Sequence, residues 1–452
     1  MSVVGGVENG LRARARSAQP PTVDSPLCRR LVLRIDNYAE LKAAYGVRAA
    51  FSVVDRIRRC LQDEATHAAD VYIIDDSHIG LVDIVERNAQ NLAQAELAAA
   101  REFEALISRL VSHPVIHKGD ILHAALSGRH AVEIVGEKVR DNEDFSDLLA
   151  YLPFCLPNSA GLPPSSWRKL YRDDMALAAD VFAAVGKGGL SLAWQPICHA
   201  DGDGRLLYTE CLARIFDEGL IERPPADFIP ALERLGLIRA LDRLVMHLAL
   251  DTLEDADGSI GVNVSALSAT CDIWWTEFFH RLQRSRWLAT RLVVELTETA
   301  RFPSISDAVA FVSRLRGLGV RVAVDDFGVG HSSLRAIAAL SPDIIKLDAF
   351  FIRDAGRNPN AAPGLSHLIG YLNGVAPWLV LEGIATPAQA ELATACGAIW
   401  LQGFFIGKPS MRCDARHAKF DCLTVPSRAL ISRSHSIPAV SPGQSGRLPG
   451  AG

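Results

Sequence analysis

The sequence predicts an α/β protein whose larger part is a modified (β/α)8 TIM-like barrel, preceded by a smaller α/β domain. Eight short apolar runs recur between Leu190 and Leu401, helical stretches lie between most of them, and a charge or an amide stands at or just beyond each run. With 452 residues, 49% apolar and 22% charged, the chain can bury the cores of two or three domains. Collagen, coiled coil and wholesale disorder are excluded.

In chain order, residues 1–28 carry Pro20, Pro21, Pro26 and the alternating Arg12, Arg14 and Arg16 with little apolar periodicity, so a disordered tail is expected. The first domain, 29–150, opens with the run Leu31 to Ile35. A helical pattern follows from Tyr38 to Leu61, then a run Val71 to Ile74 and an Ala-rich helix from about Asn88 to Val111. Leu152-Pro153 through Pro163-Pro164-Ser165-Ser166 mark a linker over 151–174.

The second domain, 175–411, has strands expected at Leu190 to Trp194, Leu206 to Tyr208, Ile260 to Val262, Leu292 to Val294, Val320 to Val324, Ile344 to Ile345, Leu379 to Leu381 and Ile399 to Leu401. Helices such as Asp307 to Leu318, Ser332 to Ala339, Leu365 to Val375 and Pro387 to Ala395 supply crossovers between parallel strands. The first two strands are joined instead by the turn Ala200-Asp201-Gly202-Asp203-Gly204, so the first strand is expected to run antiparallel. Eight strands in about 220 residues fit a barrel better than an open sheet, which would more often carry a Gly-rich phosphate loop. A Ser/Pro/Gly/Arg tail, mostly disordered, is expected over 412–452.

Lys plus Arg number 47 against 52 for Asp plus Glu, a net charge of -5, which gives no support to direct nucleic-acid or membrane binding. No apolar stretch approaches the ~18 to 20 residues that a membrane span requires, and a cytoplasmic protein is expected. The 9 cysteines form no close pair and no finger-like spacing with His, so they read as reduced thiols.

The residues that end the runs are Gln195, Glu210, Asn263, Glu295, Asp325 with Asp326, Lys346, Glu382 and Gln402. Any one alone can be a helix cap or a water-facing strand end. Together they converge on the rim where barrel active sites lie. Carboxylates crowded into one pocket take up protons unless cations sit among them. Oxygen ligands without a His or Cys cluster select Mg2+ or Mn2+, with Ca2+ as an inert substitute.

Adjacent Asp325 and Asp326 can aim at two ions, because successive strand side chains point in different directions. Two ions activate a water and clamp the oxygens of an in-line phosphoryl displacement. Lys346 can orient that water or neutralise developing charge, and Arg214, four residues after Glu210, is placed to hold a phosphate. Hydrolysis of a phosphate ester is the chemistry these residues support.

At these positions the sequence resembles the EAL domain, the bacterial cyclic di-GMP phosphodiesterase. Trp194-Gln195-Pro196-Ile197 matches its YQPI segment, Glu210-Cys211-Leu212 with Arg214 its EAL followed by Arg, and Asp227-Phe228-Ile229-Pro230 its EFIP. Asn263-Val264-Ser265 stands for NLS, Glu295-Leu296-Thr297-Glu298 for E[IL]TE, and Asp325-Asp326-Phe327-Gly328-Val329-Gly330-His331-Ser332-Ser333-Leu334 for DDFGTGYSSL. Lys346-Leu347-Asp348, Glu382-Gly383-Ile384 and Gln402-Gly403-Phe404 complete the series as KID, EGV and QGY.

The resemblance implies a homodimeric barrel that hydrolyses cyclic di-GMP to linear pGpG with Mg2+ or Mn2+, two ions being expected. It implies metal ligation by Glu210, Asn263, Glu295, Asp325 and Asp326, a water-positioning Lys346, and Glu382 as ligand or general base. Glu298 would brace the loop after Asp326. Gln195, Arg214 and Gln402 fall on the substrate side. Glu298 can equally be a first-turn helix carboxylate, and Gln195 and Gln402 structural hydrogen bonders.

The chain departs from the pattern at Ala385, which replaces the second Glu of EGVE, and at Val329, His331 and Cys211. Cys211 is expected to pack as a small apolar group. Leu33-Arg34-Ile35-Asp36-Asn37-Tyr38, Tyr45-Gly46 and Ile74-Asp75-Asp76-Ser77-His78-Ile79 resemble the GGDEF diguanylate cyclase fold stripped of its chemistry. Arg34 stands for a metal-binding Asp and Lys42 for an Asn, while Asp75-Asp76 would repel phosphate where glycines are required. That domain is expected to regulate or dimerise rather than to cyclise nucleotides. Against the enzyme stand two rivals, a weak or inactive cyclic di-GMP receptor signalling through partners and a scaffold without nucleotide.

Overall fold

The structure, a computed structural model, describes residues 26–64, 69–85, 91–135, 145–152, 164–218, 221–297, 300–328, 334–411 and 419–420. The first sheet has β1 (Leu27–Ile35), β2 (Asp70–Ile73), β3 (His78–Val85) and β6 (Leu126–Ile134) in the order β2-β3-β1-β6, all antiparallel. A separate hairpin joins β4 (Val115–His117) and β5 (Asp120–Leu122).

Strand alternation gives central β1 two buried faces. Leu31, Leu33 and Ile35 join the main core with Val54, Phe103 and Ile107, whereas Cys28 and Val32 meet Val82, Phe145 and Leu148 on the other side.

The helical pattern expected from Tyr38 to Leu61 is two helices, Tyr38–Tyr45 and Val47–Glu64. Gly46 breaks it with φ 93, a conformation that favours glycine. The Ala-rich helix runs Leu92–Ser112, with Asn91 capping the Gln94 amide. The linker expectation needs correction in its second half, since residues 164–174 begin a helix, Pro164–Gly186, whose Tyr171, Met175, Ala178 and Val181 are buried. An apolar stripe at helical spacing overrides the Pro-Pro-Ser-Ser signal there. The N-terminal tail is shorter than drawn, since Leu27 and Cys28 are buried in β1, and within the C-terminal tail β16 (Lys419–Phe420) pairs with β8. The rest of both lies outside the described residues.

All eight barrel strands form where expected, as β7 (Leu190–His199), β8 (Arg205–Phe216), β10 (Ile260–Ser265), β11 (Leu292–Thr297), β12 (Arg321–Phe327), β13 (Ile344–Leu347), β14 (Trp378–Leu381) and β15 (Trp400–Leu401). A two-residue strand, β9 (Glu222–Arg223), hangs on β8. The circuit β10-β11-β12-β13-β14-β15-β7-β8 closes through the β10–β8 pairing. Only β7 is antiparallel to its barrel neighbours, through the hairpin to β8 and a short pairing with β15. Helices Ile305–Leu318, Leu334–Leu340, Ala362–Asn373 and Pro387–Ala395 are crossovers as expected, and Ile238–Asp255 and Thr276–Arg284 serve the connections from β8 to β10 and from β10 to β11.

Among the described residues the two sheets do not pair, yet one apolar core runs from Leu31 to Leu401 across the seam between them. Polar contacts pin that seam. Trp274 Nε1 donates to the Leu126 carbonyl at 2.8 Å, and Arg243 Nε to buried Glu104 at 2.5 Å. Glu104 also accepts from the Glu277 amide at 2.7 Å. Among the described residues no helix is long and apolar enough to cross a membrane.

Candidate metal and phosphodiester site

Barrel strands present alternate residues to the interior. Glu210 of β8, Asn263 of β10, Glu295 of β11, Asp325 of β12 and Lys346 of β13 therefore meet near the strand ends, joined by Glu382 just past β14. Lys346, 1% exposed, is the hub. Its Nζ lies 2.7 Å from Glu295 Oε2, 2.9 Å from Glu382 Oε1, 3.0 Å from Glu210 Oε2 and 3.1 Å from Asp325 Oδ1.

Glu210 is held on both oxygens. Asn263 Nδ2 donates to Oε1 at 2.6 Å, and Gln402 Nε2 to Oε2 at 2.5 Å. Gln402 Nε2 also lies 3.4 Å from Gln195 Oε1, and Gln195 Nε2 donates to the Gly407 carbonyl at 3.0 Å. Both glutamines are thus buried behind Glu210 and engaged within the protein. Arg214 lines a cleft beside Glu210 but ion-pairs with Glu222 at 3.0 Å and donates to the Ala213 carbonyl. Cys211 is buried in the apolar core.

Asp326 corrects one expectation. Strict alternation would send its side chain away from that of Asp325, but Asp326 takes φ 53 and the β12–β13 register shifts between Val324 and Phe327. The bulge returns Asp326 to the same side, at a backbone cost of about 1 to 2 kcal/mol. Its amide caps Asp325 Oδ1 at 2.9 Å. Glu298, Val329 and His331 lie outside the described residues.

The electrostatics follow from burial. It raises Glu295 and Glu382 well above their ordinary values and Asp325 above its own, and lifts Asp326 to about 7 with Asp325 adding to the push. For Glu210 burial also pushes upward, but Lys346 and the two amides outweigh it and hold the group below its ordinary value. Burial pulls Lys346 down, and the surrounding carboxylates more than reverse that. One ammonium cannot neutralise five carboxylates.

The donor set fits divalent cations. Oxygens of Glu210, Glu295 and Asp325 lie within 4.8 Å of one another, as do those of Asp325, Asp326 and Glu382, so Asp325 is common to two groups. Asn263 Oδ1 is buried without a hydrogen-bond partner, an acceptor of the kind a hard cation satisfies. A cleft of about 280 Å³ opens onto Glu210, Asn263, Asp325 and Asp326, walled by Arg214, Pro225, Ile229 and Thr297.

The EAL domain family profile matches residues 178–409, the barrel and the end of the helix that leads into it. The chain belongs to the EAL domain family. Among relatives of this EAL protein, the bifunctional diguanylate cyclase/cyclic di-GMP phosphodiesterase MucR of Pseudomonas aeruginosa is 29% identical over 253 residues, 54% of this chain and 36% of the relative. The probable cyclic di-GMP phosphodiesterase PdeA of Escherichia coli is 27% identical over 51% of this chain and 32% of its own length. The chain thus spans about a third of these two relatives. A solved structure of the PaMucR phosphodiesterase in complex with c-di-GMP is 28% identical, with a TM-score of 0.47 over 52% of this chain and 97% of that one.

Two further residues of this EAL site were not singled out from sequence. Asp242 and Glu233 line the cleft, Asp242 Oδ2 accepting from the Ser265 amide at 3.0 Å and Ser268 Oγ at 2.6 Å, and Glu233 from Ser265 Oγ at 2.7 Å. They anchor the turn that follows Asn263. The signal was there in charged residues on otherwise apolar helical faces, but their shared target lies in another part of the chain.

Proposed function

We propose that this protein hydrolyses cyclic di-GMP to linear pGpG with two Mg2+ or Mn2+ ions. The observation that carries the reading is the pair of carboxylate groups sharing Asp325, at the inner end of a cleft with an arginine on its wall. Relatives named as cyclic di-GMP phosphodiesterases supply the substrate class.

In this reading Glu210, Asn263, Glu295, Asp325 and Asp326 hold the ions, with Glu382 as a further ligand or the general base. When bound there, the ions would supply Lewis acidity for water activation and for phosphoryl transfer. Lys346 orients the water and offsets charge that develops at phosphorus, since its ammonium is fixed by carboxylates and needs no reorganisation. Arg214 meets the outer phosphate once released from Glu222, while Gln195 and Gln402 hold Glu210 in place. A homodimer through the EAL domain belongs to the same reading and is read out by sedimentation.

One observation favours a receptor that binds without turnover. Ala385 is exposed, and its amide donates to Gln389 Oε1 at 2.8 Å, so the outer carboxylate of the family pattern is absent. Incubating the purified protein with cyclic di-GMP and Mn2+ separates the two. Accumulation of pGpG supports the enzyme, and saturable binding with intact nucleotide supports the receptor.

A further inference from the structure

The cation site stands on a floor of unusual chemistry. Tyr208 precedes Glu210 by two residues on β8, so alternation places it one layer deeper in the barrel. Its side chain is fully buried, and its hydroxyl has no hydrogen-bond partner. Gly261 of β10 makes the room. A Cβ at that position would overlap both Glu295 Oε1 and the hydroxyl-side edge of the Tyr208 ring, at Cε2. Carboxylate and phenol therefore press on one bare stretch of backbone.

The two oxygens of Glu295 are not equivalent. Oε2 faces Lys346 at 2.7 Å, whereas Oε1 turns down towards Gly261 and is unpartnered. Two layers below Asp325 on β12 lies Arg321, also buried, with Nη2 on Ser259 Oγ at 3.0 Å and Nη1 unpartnered. Below the cation layer lie three buried polar atoms without a hydrogen-bond partner: a guanidinium donor, a phenol that can accept and donate, and a carboxylate acceptor. Burial, with Glu295 the next largest influence, keeps the phenol far above its ordinary value, so it stays a hydroxyl. Buried polar groups left unpaired in this way are costly, and a hydrogen bond between Tyr208 and Glu295 would relieve two of them at once.

We propose that Tyr208 is a positioning residue for Glu295: its hydroxyl donates to Oε1 when the site takes up its cations, and Gly261 is the residue that lets the two meet. The inference rests on the reading of Glu295 as a cation ligand. With Oε1 held from below, Oε2 is aimed at the ion layer, and carboxylate rotation, which would loosen the ion, is blocked.

The test is Mn2+ uptake by the full chain, followed by the electron paramagnetic resonance signal of free Mn2+, with the melting temperature of the metal-free protein measured alongside. Tyr208→Phe keeps the ring and removes only the hydroxyl. It should raise the Mn2+ dissociation constant about 10- to 100-fold, the range for losing a group that orients a ligand, without lowering the metal-free melting temperature. Gly261→Ala should weaken Mn2+ more severely, because its methyl group displaces Glu295 itself. Unchanged Mn2+ affinity in Tyr208→Phe, while Glu295→Gln loses affinity, overturns the role of Tyr208 and leaves the cation site standing. A parent protein that takes up no Mn2+, or a Glu295→Gln variant that binds as the parent does, overturns both readings.

Discussion

Lys346 Nζ stands 2.7 Å from Glu295 Oε2, with both side chains sealed from solvent. A buried charge stripped of its partner is costly, by roughly 3 to 5 kcal/mol. Lys346→Met should therefore destabilise the metal-free protein, and more so as pH rises. Without the ammonium the carboxylates can fold only by holding protons, and their contribution is lost as pH passes their raised values. Thermal melts across pH check this, and added Mn2+ should restore part of the loss. A variant as stable as the parent at alkaline pH contradicts the hub role.

Asp325 belongs to both carboxylate groups, so its loss should disable both ions. Asp325→Asn is expected to cut cyclic di-GMP hydrolysis by more than the ~10- to 100-fold typical of an outer ligand, while circular dichroism stays unchanged. Glu210→Ala should behave likewise. Undiminished turnover in either would remove the site from its assigned place.

The N-terminal domain should make no cyclic di-GMP. Arg34 Nε donates to Asp36 Oδ1 at 2.6 Å, and Ser127 Oγ donates to Asp36 Oδ2 at 2.6 Å, so this carboxylate is already engaged. Asp75 is folded back onto the Ser77 and His78 amides in the turn between β2 and β3. The Asp325→Asn chain, incubated with GTP and Mg2+, checks this without consuming any product, and accumulated cyclic di-GMP would be decisive against it.

Asp242 predicts a pH dependence of stability. Burial raises it to about 7, despite bonds from Ser268 and the Ser265 amide. The unfolded value lies near ~3.9, so its contribution is full below that value and is lost as pH rises towards 7, leaving a buried charge above it. Both bonds end on Oδ2, which an amide oxygen can replace. Asp242→Asn should match the parent near pH 4 and exceed it by about 2 to 4 kcal/mol near pH 8. Denaturant titration at the two pH values measures the difference; parallel curves would refute the assignment.

Ala385→Glu should restore a carboxylate beside the ions and lower the Mg2+ requirement for hydrolysis. Metal titration of the rate checks it. An unchanged or inhibited enzyme would mean that this chain does not rely on that side of the site.

By itself the sequence determined the eight strands, their crossovers, the antiparallel first strand and the polar residue that ends each run. These are local properties: period, turn chemistry and the residue at a strand end are written within a few positions. The sequence also drew the motifs in order, so Glu210, Asn263, Glu295, Asp325 and Asp326 could be named before any distance was known. Only the tertiary structure decided how they meet. Barrel closure sets Lys346 among four carboxylates drawn from four strands or their ends, and the bulge at Asp326 defeats the alternation rule. The helix Pro164–Gly186 buries a stripe that its flanking prolines disguise as linker. Arg214 is occupied by Glu222, and Tyr208 shares with Glu295 the space that Gly261 leaves open. Each of these depends on which residues of distant segments become neighbours, and that is fixed by register and closure of the sheet rather than by any local pattern.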